Sequence, residues 1–572
     1  MRKVLVLGMA SVAAACGGGE GGTPVASSDP FCQQVMPAVQ AFMEQARAEH
    51  PVPDDPRYGG TVVVGAIGEL SDGMNAAVST DYAATQHQQF LNLMPLVVYD
   101  ENQELQPNLA SSFEVSEDGT SVTFHLRDDV YWHDGVLTDA NDVRFTYEVV
   151  TDPLTAFPNA AFWDYFVKGP DGVEVLDDFT VRIHMQPHSE PLDPFWSLGI
   201  LPEHLLGDVP RDQLRIHPFG TQCPVGNGPF VFAEHRSQQR WVFEANPAFP
   251  AELGGRPYVD RYVYRSIPEQ TTLLTELLTE NVDVYIRPTP DQAQDIIDNP
   301  DVRLLDFTFR NYVAVIWNSR RPQLADPRVR RAITMGTNRQ QIVDALLEGY
   351  GRVANSTVPP FHWAFDPEVN DEVGLHYDPE AARALLDQAG WIDRDGDGVR
   401  ESADGTPLSF SIKYNDGNQT RQDITEIMQA QLAQIGIDAQ PQVVEWVTLL
   451  SQINDPAMRD FDGVVMGWVN EFRLDDTDLF DSDRIDQPYA WSGTQNPEID
   501  RLVEELGVTM DRDRAKELWT EYQRVLAEEQ PYTFFYFDDR LEGVNNRLQG
   551  VVMDARGEWV SVKDWYIDPA SR

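Results

Sequence analysis

Between positions 464 and 476 the chain reads Val-Val-Met-Gly-Trp-Val-Asn-Glu-Phe-Arg-Leu-Asp-Asp. A short apolar run of strand type stops at Gly467 and then releases Trp468, Glu471, Phe472 and Arg473. Side chains just beyond a strand stand on a rigid base yet are free to reach outward, and strand ends in α/β proteins are where ligand sites gather. An aromatic beside an acid and a base suits a small polar or charged ligand. The competing reading is a surface turn whose Trp packs back on its own domain.

Other groups with chemical potential are scattered. His133 and Asp134 are neighbours, a pair that invites acid–base chemistry. Asp393, Asp395 and Asp397 alternate ahead of Gly398, the front half of an EF-hand-type calcium loop, with Asp404 at the twelfth place where Glu is usual. Calcium there would tie a loop rather than do chemistry; the alternative is a solvated acidic turn. Gly226-Asn227-Gly228 precedes a strand-like Phe230-Val231-Phe232 rather than a helix, so it is no nucleotide signature. A secreted hydrolase is disfavoured, because there is no Gly-x-Ser-x-Gly, no His-Glu-x-x-His and no nucleophile context around the cysteines.

The chain that must position these groups has 572 residues, long enough for several domains or one large multi-lobed fold. Its formal net charge is 43 − 92 = −49, spread over the whole length, so a phosphate backbone would be repelled and nucleic-acid binding by a basic surface is excluded. Arg2 and Lys3 precede an apolar run from Val4 to Ala15, the form of a secretory signal too short to span a membrane. Ala13-Ala14-Ala15-Cys16 resembles the lipobox of bacterial lipoproteins, in which the Cys is lipidated, although Ala13 stands where Leu is usual. The Gly-rich segment up to Pro30 fits a tether. Cys32 and Cys223 then remain, and two cysteines in an exported chain invite a disulfide.

The spacing predicts a helix over 35–50, stopped by the Pro-rich 51–56, then a buried strand at Thr61–Gly65. An apolar helix or strand follows at 90–98. An Asp118-Gly119 turn joins two strands as a hairpin, and a helix opens after an N-cap at Thr138 or Asp139. The basic cluster Asn318–Arg331 reads as a helix N-terminus with solvated arginines rather than an anion site. Trp446 ends a strand from Val443, and charged amphipathic helices at 497–506 and 512–529 precede an aromatic strand at 532–537.

This order resembles the extracytoplasmic solute-binding proteins of family 5, the peptide- and nickel-binding proteins of ABC transporters. The resemblance rests on Gly59-Gly60-Thr61 with its Val-rich strand, Pro107-Asn108-Leu109-Ala110, Ser116-Glu117-Asp118-Gly119, Thr123-Phe124-His125-Leu126-Arg127, Trp132-His133-Asp134-Gly135, Gly226-Asn227-Gly228-Pro229 and Asp326-Pro327-Arg328-Val329-Arg330. It covers the chain from about Gly59 to the last strand. It implies an α/β, two-lobed periplasmic-binding-protein fold of type II with an extra subdomain: signal 1–16, tether and short helix 17–57, lobe I over 58–95, 196–311 and 531–572, inserted subdomain 96–195 and lobe II 312–530. It also implies a non-enzymatic, monomeric, lipid-anchored protein of the cell envelope, placed in a periplasm. Such a protein captures peptides between its lobes and delivers them to a permease, with no cofactor required. A metal chelate, an oligosaccharide or an envelope-sensor role is the alternative. His133 and Asp134 belong to a structural turn in that pattern. Trp446 and Trp468 match cleft-lining aromatics, and Glu471 takes the place of an Asp that holds the ligand's ammonium group. The longer Glu either keeps that role or pairs with Arg473, which completes the candidate ligand-binding set.

Overall fold

A computed structural model describes residues 28–571 apart from Gly374; the signal, Cys16 and most of the tether lie outside the described residues. Helix starts are written locally. Asp29-Pro30, Asp326-Pro327, Asp366-Pro367, Asp378-Pro379 and Asn496-Pro497 each place an accepting side chain at the N-cap and proline just inside it. The side chain satisfies an orphan N–H, and proline forfeits only a donor that would be unused. The first helix therefore begins at Pro30 rather than near Val35 and runs to Glu49. Asp139, not Thr138, caps Ala140–Thr151, with Asp142 completing a reciprocal capping box.

Ten strands lie in one sheet, in the order Asp438–Val444, Ser409–Asn415, Gly463–Val469, Val302–Trp317, Tyr532–Asn545, Val284–Ile286, Thr61–Ala66, Arg261–Ser266, Arg240–Ala245 and Phe230–Arg236, and Gly351–Val353 pairs beside the path. The two central strands are long, and their antiparallel ladder breaks between Thr308 and Tyr312. On one side of the break Val302–Thr308 faces Asn545–Asp539; on the other Tyr312–Ile316 faces Phe537–Tyr532. The break divides the molecule into two lobes sharing a pair of crossing strands. Separate from this sheet, Ala110–Val115, Ser121–Leu126, Thr180–His184 and Val173–Asp177 form a four-stranded antiparallel sheet. Val143, Tyr147 and Val150 of Ala140–Thr151 share its core with Val122, Phe124, Val181 and Ile183.

The ambiguous apolar run at 90–98 resolves into a π-helical turn, Gln88–Asn92, followed by strand Val97–Tyr99. Gly226 and Gly228 lie against that turn: a Cβ at Gly226 would sit 1.7 Å from the Asn92 carbonyl oxygen, and one at Gly228 2.6 Å from that of Leu91. Only glycine permits so close a backbone approach. Cys32 and Cys223 form a disulfide with Cα atoms 5.5 Å apart, across 191 residues of sequence, and it ties Pro30–Glu49 to lobe I. Cys32→Ser is expected to cost about 2–4 kcal/mol of stability, since the unfolded chain regains a long open loop. Hydrogen exchange would show the first helix opening before the rest; uniform protection would refute this.

The arginines of 318–331 are not a solvated set. Arg330 is wholly buried, and its guanidinium donates to the carbonyl oxygens of Leu324 (2.6 Å), Ala325 (3.0 Å), Glu529 (2.7 Å) and Gln530 (3.0 Å). Helical position alone does not report this, because two of the partners, Glu529 and Gln530, come from a helix terminus about two hundred residues away.

Candidate functional site

Strand direction locates the site. Thr61–Ala66 runs parallel to Arg261–Ser266 and Val284–Ile286, which is antiparallel to Tyr532–Asn545 with Val284 opposite Val544 and Ile286 opposite Glu542. These three lobe I strands therefore end toward the ladder break. From the other lobe, Gly463–Val469 pairs Gly463 with Trp317 and Val469 with Asn311, so it too ends at the break, and Ser409–Asn415 and Asp438–Val444 run parallel to it. Carboxyl ends of strands from both lobes thus face one line, the geometry in which α/β sheets bind ligands.

Trp468 is half-buried and packs edge-on against Tyr489 (5.5 Å between ring centroids) and Trp491 (5.6 Å). Val469 beyond it is 49% exposed. Trp446 is the first residue of helix Trp446–Asn454 rather than the end of a strand, because Glu445 caps Val447 and Thr448 N–H. Its indole is 40% exposed and lies 5.8 Å from the Arg421 guanidinium.

The loop after Val469 crosses to the other lobe. Phe472 is 2% exposed and sits in lobe I's apolar cluster, 5.0 Å from the Tyr99 ring and 5.2 Å from Trp196, while its carbonyl oxygen accepts from His362 Nε2 in its own lobe (2.8 Å). Glu471 does not pair with Arg473. Its Oε2 accepts from Arg310 Nη1 at 3.0 Å, and Arg310, buried at the ladder break, also donates to the Asn470 carbonyl oxygen at 3.0 Å. An extended segment would put Glu471 and Arg473 on one face, but the chain bends at Phe472 and Arg473 and parts them. Arg473 instead reaches Asp475 (3.3 Å), contacts His188 Nε2 (3.3 Å) and overlies the rings of Phe162 and Tyr165, while its backbone N–H donates to Asp193 Oδ1 at 3.1 Å. It is a tie between lobes more than an open cleft wall. Asp476 is buried and accepts from Thr357 and Tyr522 hydroxyls, both at 2.6 Å; burial pushes its carboxyl up to about 6.

Between the lobes beside Glu471 lies a cavity of about 40 Å³, whose polar lining is Ser79, Thr85, Gln88, Asn159, Asp193, Ser197 and Glu471. Asp193 is 4% exposed, and burial, then the nearby Glu471 charge, push its carboxyl up to about 6. Arg310, Phe472 and Asp193 are the site residues that sequence reasoning missed. Phe472 was named in the right stretch but given no role of its own, and nothing local to Arg310 or Asp193 marks them.

The remaining candidates fall away from this line. His133 is wholly buried, with Nε2 3.0 Å from the Gly228 carbonyl oxygen and Nδ1 accepting the Gly226 N–H, and burial lowers it to about 4. Asp134 meets His204 at 2.9 Å. His133 holds the turn against Gly226–Gly228, and Asp134 ties the same turn to helix Glu203–Leu206. In the acidic loop, Asp393, Asp395 and Glu401 have carboxylate oxygens within 4.8 Å of one another. Asp397 instead accepts the Val399 N–H at 2.8 Å and Asp404 the Thr406 N–H at 3.2 Å. The grouping therefore closes on Glu401 and leaves out Asp397 and Asp404, because the twelfth position falls inside the Ser402–Thr406 turn, where Asp404 accepts the Thr406 N–H.

Residues 104–483 match the model of the bacterial extracellular solute-binding proteins, family 5. The chain is 31% identical over 526 residues to the oligopeptide-binding protein AppA of Bacillus subtilis (strain 168), covering 90% of this chain and 92% of that protein. It is 26% identical to the dipeptide-binding protein of Escherichia coli (strain K12), over 80% of this chain and 85% of that one. The solved structure of Bacillus subtilis AppA in complex with a nonapeptide superposes with a TM-score of 0.72 at 29% identity, covering 90% of this chain and all of the other. With the two lobes, the shared crossing strands and the cleft between strand ends, these matches place the chain in the family 5 bacterial extracellular solute-binding proteins.

Proposed function

We propose that this protein captures peptides in the cleft between its lobes and presents the closed form to the permease of an ABC importer. The observation that carries the reading is the convergence of strand carboxyl ends from both lobes on one line, crossed by a loop whose Phe472 docks in the opposite lobe. Strand ends offer main-chain hydrogen bonds to an extended ligand, which bind peptides with little regard to side chains. AppA, similar over nine-tenths of this chain, holds a nonapeptide in its solved structure. Binding couples to lobe closure about the ladder break, and closure builds the surface a permease reads. The ligand leaves unchanged, because the acid–base pair His133 and Asp134 is committed to its turn. The chain works as a monomer held at the envelope of a periplasm by a lipid on Cys16.

A thermal-shift titration of the mature protein tests the reading, with pooled nonapeptides, pooled dipeptides, nickel–histidine and oligosaccharides as probes. Stabilisation is expected to grow with peptide concentration and to reach about 2.7 kcal/mol at a hundredfold excess over Kd. A response to one of the other classes with none to either peptide pool would sink the peptide reading. Mass spectrometry of the recovered peptides should find them intact.

A further inference from the structure

Lobe I holds a second cavity, of about 380 Å³, at its end away from the cleft. Strand Arg261–Ser266 runs toward the ladder break, so Arg261, its first residue, stands at the far end. Arg47 from the last turn of helix Pro30–Glu49 and His50 just after it line one side; Glu244, Arg256, Asp260 and Arg261 bring charge from lobe I. Most of these charges neutralise one another. Arg47 closes on Glu244 at 2.5 Å and Arg256 on Asp260 at 2.5 Å, and Asp260 also accepts the Gly60 N–H at 3.1 Å. Arg261 is left over. Glu244 faces it across the strand pair, but that carboxylate is drawn to the helix. The Arg261 Nε is buried and meets no acceptor among the described residues. A buried N–H without an acceptor costs its desolvation unless a ligand supplies the missing oxygen. In a chain of net charge −49, three arginines against two carboxylates are a local reversal of sign.

We propose that this cavity binds a phosphate monoester, with Arg261 as its principal donor and His50 and Arg47 closing on it from the first helix. The planar guanidinium fork matches two oxygens of an oxyanion. A phosphate monoester carries a charge of about −1.5 to −2 near neutral pH. Arg261 meets one of these charges and protonated His50 the second, whereas a carboxylate would answer only the first. The volume exceeds what phosphate alone needs and falls within the range of small-molecule sites, about 300–1,000 Å³. The ester's organic body therefore enters too, against Val52, Ala245 and Pro247. That body belongs to a free small molecule or to a lipid whose headgroup is the phosphate. A ligand bridging Arg261 and His50 fastens the end of the first helix to lobe I, as the Cys32–Cys223 disulfide fastens its start. The site is independent of the peptide cleft, which lies at the other end of the same strands.

Calorimetric titration of the mature protein tests this with glycerol 3-phosphate, dihexanoyl phosphatidic acid, glycerol and acetate as probes. Glycerol 3-phosphate is expected to bind, glycerol not at all, and acetate about tenfold more weakly or worse. Arg261→Gln should weaken glycerol 3-phosphate about 30-fold, the scale of a charged hydrogen-bonded pair, and leave the affinity for pooled nonapeptides unchanged. Glu244→Gln releases Arg47 from its partner and should tighten the phosphate about threefold. Hydrogen exchange at residues 46–50 should slow when glycerol 3-phosphate is present. Tighter binding of the phosphatidic acid than of glycerol 3-phosphate identifies a lipid headgroup, and the reverse a free ester; either order sustains the proposal. A wild type that binds neither phosphate probe overturns it, and so does acetate binding as tightly as glycerol 3-phosphate. Unchanged phosphate affinity in Arg261→Gln overturns it as well. Should that variant not fold, Glu244→Gln decides: affinity equal to wild type or weaker would sink the site.

Discussion

Phe472→Ala is expected to hold the lobes apart and to weaken ligand binding by about 100-fold while leaving each lobe's own fold intact. The ring is buried in the opposite lobe between Tyr99 and Trp196, with the Arg310 guanidinium 5.0 Å from its face. Truncating a buried Phe costs about 3–5 kcal/mol, through lost transfer energy and the cavity left behind. Here that cost falls on the closed arrangement alone, because with the lobes apart the ring has no pocket to lose. A ligand that binds only the closed form then repays the deficit from its own affinity. Small-angle scattering at a nonapeptide concentration that only just saturates the wild type should give a larger radius of gyration for the variant, which stays mostly open there. Thermal unfolding without ligand should move little. Wild-type affinity in the variant would show that Phe472 is merely packed and that closure does not depend on it.

Arg330→Met carries the largest expected cost in stability, about 3–5 kcal/mol, the scale of breaking a buried charged network by removing one partner. The guanidinium is the shared donor for the carbonyl oxygens of Leu324, Ala325, Glu529 and Gln530, and it also pairs with the Glu529 carboxylate. Methionine fills much of the volume but satisfies none of these acceptors, and each buried carbonyl left without a donor costs its own desolvation. Arg330→Lys should recover only part of the loss, since three donors on one nitrogen cannot span the set. Urea unfolding of the purified variants, with hydrogen exchange at the end of helix Arg512–Glu529 as the local probe, checks both. A loss below about 1 kcal/mol in Arg330→Met would mean that water replaces the guanidinium there.

Much of the scaffold is legible in short windows. The Asp118-Gly119 turn, the Asp-Pro helix starts and the two strand-end runs that flank the cleft each follow from a handful of neighbouring residues, because dihedral preference, capping and side-chain alternation are local. Where the reading slipped, competing local rules were close in energy. Trp446 could end a strand or begin a helix, and the Glu445 carboxylate reaching Val447 and Thr448 N–H tips it to the helix. The calcium-like loop reads by spacing as a twelve-residue unit, but Ser402 bonds back to Thr406 and substitutes Glu401 for Asp404.

The amino-acid sequence by itself determined the order of elements, the family and the strand end that lies at the ladder break. It also determined that Cys32 and Cys223 were the pair available for a disulfide among the described residues. Tertiary structure alone decided which partners the charges of that stretch meet. Arg310 and Glu471 are 161 positions apart, and Asp193 and Arg473 are 280 apart. Whether a carboxylate is neutralised or left open depends on which cation the folded chain brings within about 4 Å, since Coulombic pairing at that range overrides anything its sequence neighbours supply. No local window contains that distance, so the strand end could be found from its residues while the pairing of its charges could not.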